Sequence, residues 1–385
     1  MSRIDLRNPH IEGIGLSADR VADAASISAP TRDCLVVSAD SHFEVSEDIY
    51  RDRLPAHLRD KAPRVWFDGF WRLGDPKDQS KQLFSDFAFQ YRVKHSCAGL
   101  YERNVRKRDA QASGVDKEIV FPQSVLHFLT NPDYELREAV FRVYNEYISE
   151  VSAQDRDRFY GVGICANWWD AERAKATITE VKNLGLRTFM LPNTPGRYPS
   201  GKEISWGDEE LEPFWSAIEE AELPICFHVI EKFDVDGPGG VGTFMLTALS
   251  PFRRPFAMLT FGGVFDRHPK IKVVFAEGGI SWVPTMLQDA EMIFDSFTGF
   301  LRPKLKRRPS DYWRAHCFAT FQTDRLGLEQ LSYIGVDNVM WGSDYPHTEG
   351  TYGYTRSAQQ AIIDCVGQRD ANKILGATAM SLYRL

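Results

Sequence analysis

The 385-residue chain has no apolar run long enough to cross a membrane, which takes about 20 residues. Its first thirty residues also lack the apolar stretch of a secretory signal. Cysteine is sparse and unpaired in spacing. Cys34, Cys97, Cys165, Cys226, Cys317 and Cys365 form no C-x-x-C, which argues against a zinc site built of cysteines. Several sit inside apolar runs, where a free cysteine behaves as a small core residue. A reduced, cytoplasmic setting is therefore expected. There is no excess of positive charge, since the formal net charge is −7, so neither nucleic acid nor a membrane is an expected partner. One local basic run, Arg302-Pro303-Lys304-Leu305-Lys306-Arg307-Arg308, reads as a solvated loop or helix end. Its other reading is a patch for an acidic substrate tail. No internal repeat and no low-complexity tract is present.

What the chain does have is material for a large core, with 43% hydrophobic residues. Eight strand-like runs follow one another: Leu35–Ala39, Glu118–Pro122, Phe159–Ala166, Arg187–Pro192, Pro224–Val229, Ile271–Ala276, His316–Phe321 and Asn338–Gly342. Helix-like segments separate most of them. Pro132–Ala153 starts behind Asn131, and Ala171–Leu184 starts behind Asp170. Glu209–Glu222, Phe244–Phe265, Ile280–Phe297, Arg325–Ile334, Ala358–Cys365 and Ala371–Leu382 follow. Eight strands alternating with helices predict a (β/α)₈ (TIM) barrel over residues 33–385. Residues 1–32 predict an arm laid on the surface or on a partner subunit. The stretch Phe43–Val115 is too long for an ordinary connection. It is rich in aromatics, among them Trp66, Phe70, Trp71, Phe84, Phe87, Phe89 and Tyr91. It reads as a lid over the barrel mouth, or as a packing subdomain or dimer arm.

Chemistry in such a barrel collects at the carboxyl ends of the strands. The first strand ends in Ser38-Ala39-Asp40-Ser41-His42, the fifth in Cys226-Phe227-His228, and the sixth in Phe275-Ala276-Glu277-Gly278-Gly279. The eighth ends in Trp341-Gly342-Ser343-Asp344-Tyr345-Pro346-His347. Alternate residues of a strand face the same way, so Asp40 and His42 can aim at one spot. Singly, each histidine is more often a satisfied buried residue than a ligand. Three histidines with Asp40 and Asp344 at strand ends favour a divalent metal, and imidazole with carboxylate suits zinc, manganese or iron. Glu277 is a candidate general base, a residue orienting a ligand histidine, or a further ligand. His268 and His316 fall at the opposite end of the barrel and read as structural. His127, just past the second strand, reads as pocket-lining or as a capped core residue. His10, His57 and His95 read as surface.

These motifs, together with Gly262-Gly263-Val264-Phe265-Asp266-Arg267-His268-Pro269 and the terminal Ile374-Leu375-Gly376, resemble the amidohydrolase-related branch of the amidohydrolase superfamily. The resemblance runs over about residues 34–385. It implies that Asp40, His42, His228 and Asp344 hold a divalent metal, with zinc preferred over iron or manganese. It also implies that Asp344 doubles as a base or orienter for an activated water. Two departures stand out. The first motif in the family more often reads His-x-His or Glu-x-His, and here Asp40 takes the first place. The decarboxylases of the branch commonly end strand six in histidine, and here Glu277 stands there. The fourth strand, Thr188-Phe189-Met190-Leu191-Pro192, offers no lysine for the bridge of two-metal members. One ion is favoured, and a second would need carboxylates such as Glu277.

The first reading is thus a metal-dependent hydrolase of an amide, ester or thioester in a small to medium organic substrate. Asp344 or Glu277 takes the proton, and His347 with the aromatic insertion shapes the pocket. The runner-up is non-oxidative decarboxylation of an aromatic or unsaturated carboxylic acid. A third reading is a non-catalytic ligand-binding barrel. A homodimer or higher homo-oligomer is expected.

Overall fold

The computed structural model describes residues 6–15, 17–21, 35–46, 48–67, 71–74, 97–229, 240–249 and 251–385. Eight parallel strands form the centre. The first is interrupted, as Val37–Ser38 and His42–Phe43. Lys117–Pro122 is the second, and Phe159–Gly161 with Gly163–Ile164 the third. Phe189–Leu191, Ile225–His228, Val273–Ala276, Cys317–Phe321 and Val339–Trp341 complete the set. Both pieces of the first strand pair with the second, and each later strand pairs with the next.

The ring closes through its ends. Ala39 N–H donates to the Trp341 carbonyl (2.9 Å), Asp344 N–H to Asp40 (2.9 Å), and His42 N–H to Tyr345 (2.7 Å). At this seam Gly342 cannot be replaced, because a Cβ there would lie 2.6 Å from the Asp40 Cβ. The strands read as apolar runs because both of their faces are buried, by the barrel interior and by the helices.

Helix boundaries follow local chemistry. Tyr134–Ala153 starts behind Asp133, whose Oδ1 accepts from Leu136 N–H (3.1 Å). Asn131, the expected start, instead accepts the Asp133 N–H in a turn (2.9 Å). Asp170 caps Ala171–Asn183 as expected. The single helix expected over Phe244–Phe265 is three: Gly240–Ala248, Arg253–Phe261 and Val264–Arg267. Pro251 interrupts the first break. Gly263, at φ 72°, makes the second. The last helix is likewise divided, with a wider turn over Lys373–Ala377. There Gly376 lies against the Leu35 carbonyl, only 1.9 Å from where a Cβ would stand.

Part of the stretch Phe43–Val115 is packed into the barrel wall. Tyr50, Leu54 and Leu58 join the main core. Arg106, on the helix Arg103–Ala112, is buried beneath the first strand. It pairs with Glu118 (2.9 Å) and donates to Ser41 Oγ (2.7 Å) and to the His42 carbonyl. The aromatic lid reading rests on the side chains of Trp66 and Trp71 and on residues 68–70 and 75–96, which lie outside the described residues. The described part of the arm, 6–15 and 17–21, lies on the chain's own loop after the eighth strand. No helix among the described residues is long and apolar enough to cross a membrane.

Candidate metal centre

Strand register delivers the candidate residues to one place. His228 pairs with Ala276 across strands five and six, so Glu277 projects one residue beyond. His42 pairs with Phe121 at the end of strand two, and the seam hydrogen bonds bring Asp40 and Asp344 together. The resulting cluster is buried. Asp40, His42, His228, Glu277 and Asp344 are all buried, and only His347 keeps a partly exposed side chain, 18%.

The six side chains meet within short distances. His228 Nε2 lies 3.5 Å from Asp40 Oδ1 and 3.2 Å from Glu277 Oε2. His42 Nε2 lies 3.4 Å from Asp344 Oδ1 and 3.8 Å from Asp40 Oδ1. His347 Nδ1 lies 2.9 Å from Asp344 Oδ1 and 4.0 Å from Glu277 Oε1. Two groups with mutually close ligand atoms result, Asp40–His42–His228 and His42–Glu277–Asp344–His347, and they share His42.

Each ring is held from behind. His42 Nδ1 bonds the Pro122 carbonyl (3.0 Å), His228 Nδ1 the Val229 carbonyl (2.9 Å), and His347 Nε2 the Gln123 Oε1 (3.0 Å). An oxygen partner calls for N–H on that side, so each inward nitrogen presents a lone pair. Among the described residues, those three nitrogens and both oxygens of Asp40, Glu277 and Asp344 have no hydrogen-bond partner. A buried set of acceptors without a donor is costly unless a cation stands among them. Outer hydrogen bonds that fix ring orientation are the usual support of a ligand histidine. The residues present therefore fit a divalent metal.

Charge effects within the cluster run in both directions. Burial, then the charge of Asp344, pushes the Glu277 carboxyl well above the usual range. Burial, then Asp40, does the same to Asp344. Burial and the neighbouring His347 and His228 hold His42 well below its ordinary value, so it is neutral. For His228 burial acts downward, but Glu277 and Asp40 carry it up. The backbone is also bent to the purpose. Glu277 (φ 75°) and Asp344 (φ 52°) both adopt the left-handed region, which costs a residue with a Cβ about 1–3 kcal/mol and is found chiefly at functional sites.

The remaining histidines lie elsewhere. His268 pairs with Glu212 (3.1 Å), and His316 bonds the Ile271 carbonyl (2.9 Å), both at the amino end of the barrel. His57 is exposed beside Glu135. His10 is not simply surface, since it stacks on Tyr354 (5.9 Å). The His127 side chain and His95 lie outside the described residues. Sequence reasoning missed Gln123. It follows the second strand directly, and that position was its one available signal.

Fold and cluster together define the class: a barrel enzyme whose strands carry, at their carboxyl ends, residues that fit a divalent metal. A model of the family described as Amidohydrolase matches residues 108–385, and the chain belongs to that family. It is 22% identical over 311 residues to a 2-amino-3-carboxymuconate-6-semialdehyde decarboxylase of Dictyostelium discoideum, covering 79% of this chain and 82% of that one. Among solved structures it is similar to an amidohydrolase from Mycobacterium avium subsp. paratuberculosis, with a TM-score of 0.72, 19% identity, and coverage of 92% and 98%. It is also similar to a dihydroxybenzoic acid decarboxylase from Polaromonas with bound manganese and an inhibitor, 2-nitroresorcinol. That match has a TM-score of 0.64, 17% identity, and coverage of 91% and 97%.

These relatives correct the first reading of the sequence. Hydrolysis of an acyl bond is overturned, because the Dictyostelium and Polaromonas proteins are decarboxylases. What they match is the runner-up.

Proposed function

We propose that the protein is a metal-dependent, non-oxidative decarboxylase of an aromatic or unsaturated carboxylic acid. The observation that carries the reading is the set of inward acceptor atoms, unpartnered among the described residues, at the ends of strands one, five, six and eight. The reaction class is supported by the relatives. Asp40, His42 and His228, which form one close group, together with Asp344, 3.4 Å from His42, would hold one divalent ion, with manganese the first to test and zinc and iron beside it. Bound there, the ion supplies positive charge to fix a substrate carboxylate and a neighbouring oxygen.

The rest is work for the chain. Decarboxylation breaks the bond between the carboxylate carbon and the substrate carbon. The electron pair stays on the substrate carbon, which must take a proton as carbon dioxide leaves. Glu277 lies 3.2 Å from His228 and 4.0 Å from His347, in a buried site where a carboxyl can keep its proton. We assign it the delivery of that proton. His347, the most exposed member, borders the substrate, and Gln123 holds its ring beside Asp344. Burial of the cluster excludes water from the departing bond.

The test is a panel of hydroxylated benzoates and unsaturated dicarboxylates with the manganese-loaded protein in deuterium oxide. Carbon dioxide should match acid consumed, and the product should carry one deuterium at the vacated carbon. A fully loaded protein that releases no carbon dioxide from any of them overturns the reading.

A further inference from the structure

The loop after the eighth strand, from Asp344 to Tyr354, carries two members of the cluster, and it has no regular structure of its own. Two grips hold it. On one side, Asp109 accepts from the hydroxyls of Tyr345 (2.8 Å) and Tyr352 (3.2 Å). On the other lies the amino-terminal arm. Ser17 N–H donates to Thr348 Oγ1 (3.1 Å), and His10 stacks on Tyr354.

Arg20 is the centre of this second grip. It is 8% exposed, and it faces backbone carbonyls. Nε and one Nη2 proton go to Gly15 (3.0 and 2.8 Å), and the other Nη2 proton goes to Thr348 (2.9 Å). Nη1 reaches Tyr352 (3.0 Å) and Gly350 (3.4 Å). A guanidinium has five donors in a rigid fork, so all five are engaged. Three of the carbonyls belong to the stretch just after His347. A lysine, with three donors on a point charge, cannot make the same set.

We propose that Arg20 is a positioning residue of the reaction centre, holding the loop 348–352 so that His347 keeps its ring against Asp344. The inference rests on the reading of the cluster as a metal-dependent centre, and its test separates the two. Hydrogen exchange is followed in the full-length, metal-free chain. In Arg20→Ala, exchange of the loop amides at 347–352 should rise about tenfold or more, while strand five, Ile225–His228, stays as protected as before. Added methylguanidinium should restore the loop. Manganese affinity, measured by titration, should fall about tenfold, and in a His347→Ala background Arg20→Ala should weaken it no further. Should Arg20→Ala fail to fold, Arg20→Lys carries the same comparison, with a smaller rise. Loop exchange unchanged, or raised equally in strand five, overturns the proposal, as does an added loss of affinity in the His347→Ala background. A wild-type chain that binds no manganese sinks the metal reading instead, and loop exchange still decides the role of Arg20.

Discussion

The two ends of the barrel use the same side chain in opposite ways. At the amino end, His268 engages both ring nitrogens, with Glu212 at 3.1 Å and Glu219 at 3.5 Å. His316 bonds the Ile271 carbonyl and stacks on Phe265 at 4.5 Å. At the carboxyl end, His42, His228 and His347 each tie one nitrogen to an oxygen and leave the other facing carboxylates. Carboxylates show the same two conditions, though not by barrel end. Asp133 accepts from Leu136 N–H and from Lys61, and these donors, Lys61 first, pull its pKa below the usual value. Burial first, and then neighbouring carboxylates, push Glu277 and Asp344 the other way. A buried histidine or carboxylate therefore says little alone. What distinguishes the centre is the lone pair left over.

The hardest test of that contrast is Asp344→Asn. It keeps the shape and removes a charge, so metal content measured by elemental analysis should collapse and carbon dioxide release should fall about 10²–10⁴-fold. Full metal and an ordinary rate in this variant would break the comparison. Next comes Glu277→Gln, which should retain the ion yet lower turnover about 10²-fold or more, since it removes the acid. An unchanged rate at full occupancy returns Glu277 to a structural role. At the other end, His268→Ala should cost about 1–3 kcal/mol in denaturant unfolding with metal content intact. Loss of metal there would mean that the two ends are not independent.

The smallest effect belongs to Asp133. Asp133→Ala removes a helix cap and should cost about 1 kcal/mol at neutral pH. Because the folded-state pKa is depressed, the contribution is present above the unfolded value, about 3.9. It is lost as pH falls through the folded one. The difference from wild type should therefore shrink in acid. A difference that grows in acid would reverse the assigned direction.

Much of this was readable in the residues. Largely apolar runs of five to eight residues placed all eight strands, because a strand buried on both faces can be little else. The strand ends then exposed Asp40, His42, His228, Glu277 and Asp344. Other features left no trace of that kind. Nothing in the residue types announces a left-handed Glu277 or Asp344. Arg20 binds carbonyls, which every residue has, so its partners have no signature. Asn131 and Asp133 are equally good caps, and only the turn between them decides. The breaks at Pro251 and Gly263 were visible, but the apolar spacing across them was stronger than the punctuation.

The seam at Gly342 has a consequence for the order of events in the life of the chain. Asp40 and His42 come from the first strand, and Asp344 from just past the last. They meet through three backbone hydrogen bonds between the ends of the ring. A ribosome that has released only the residues before Val339 has made Asp40, His42, His228 and Glu277, but neither Asp344 nor the strand that orders Asp40. An unfinished chain is thus a poor chelator. On the proposed function, loading of an ion would wait for closure of the ring.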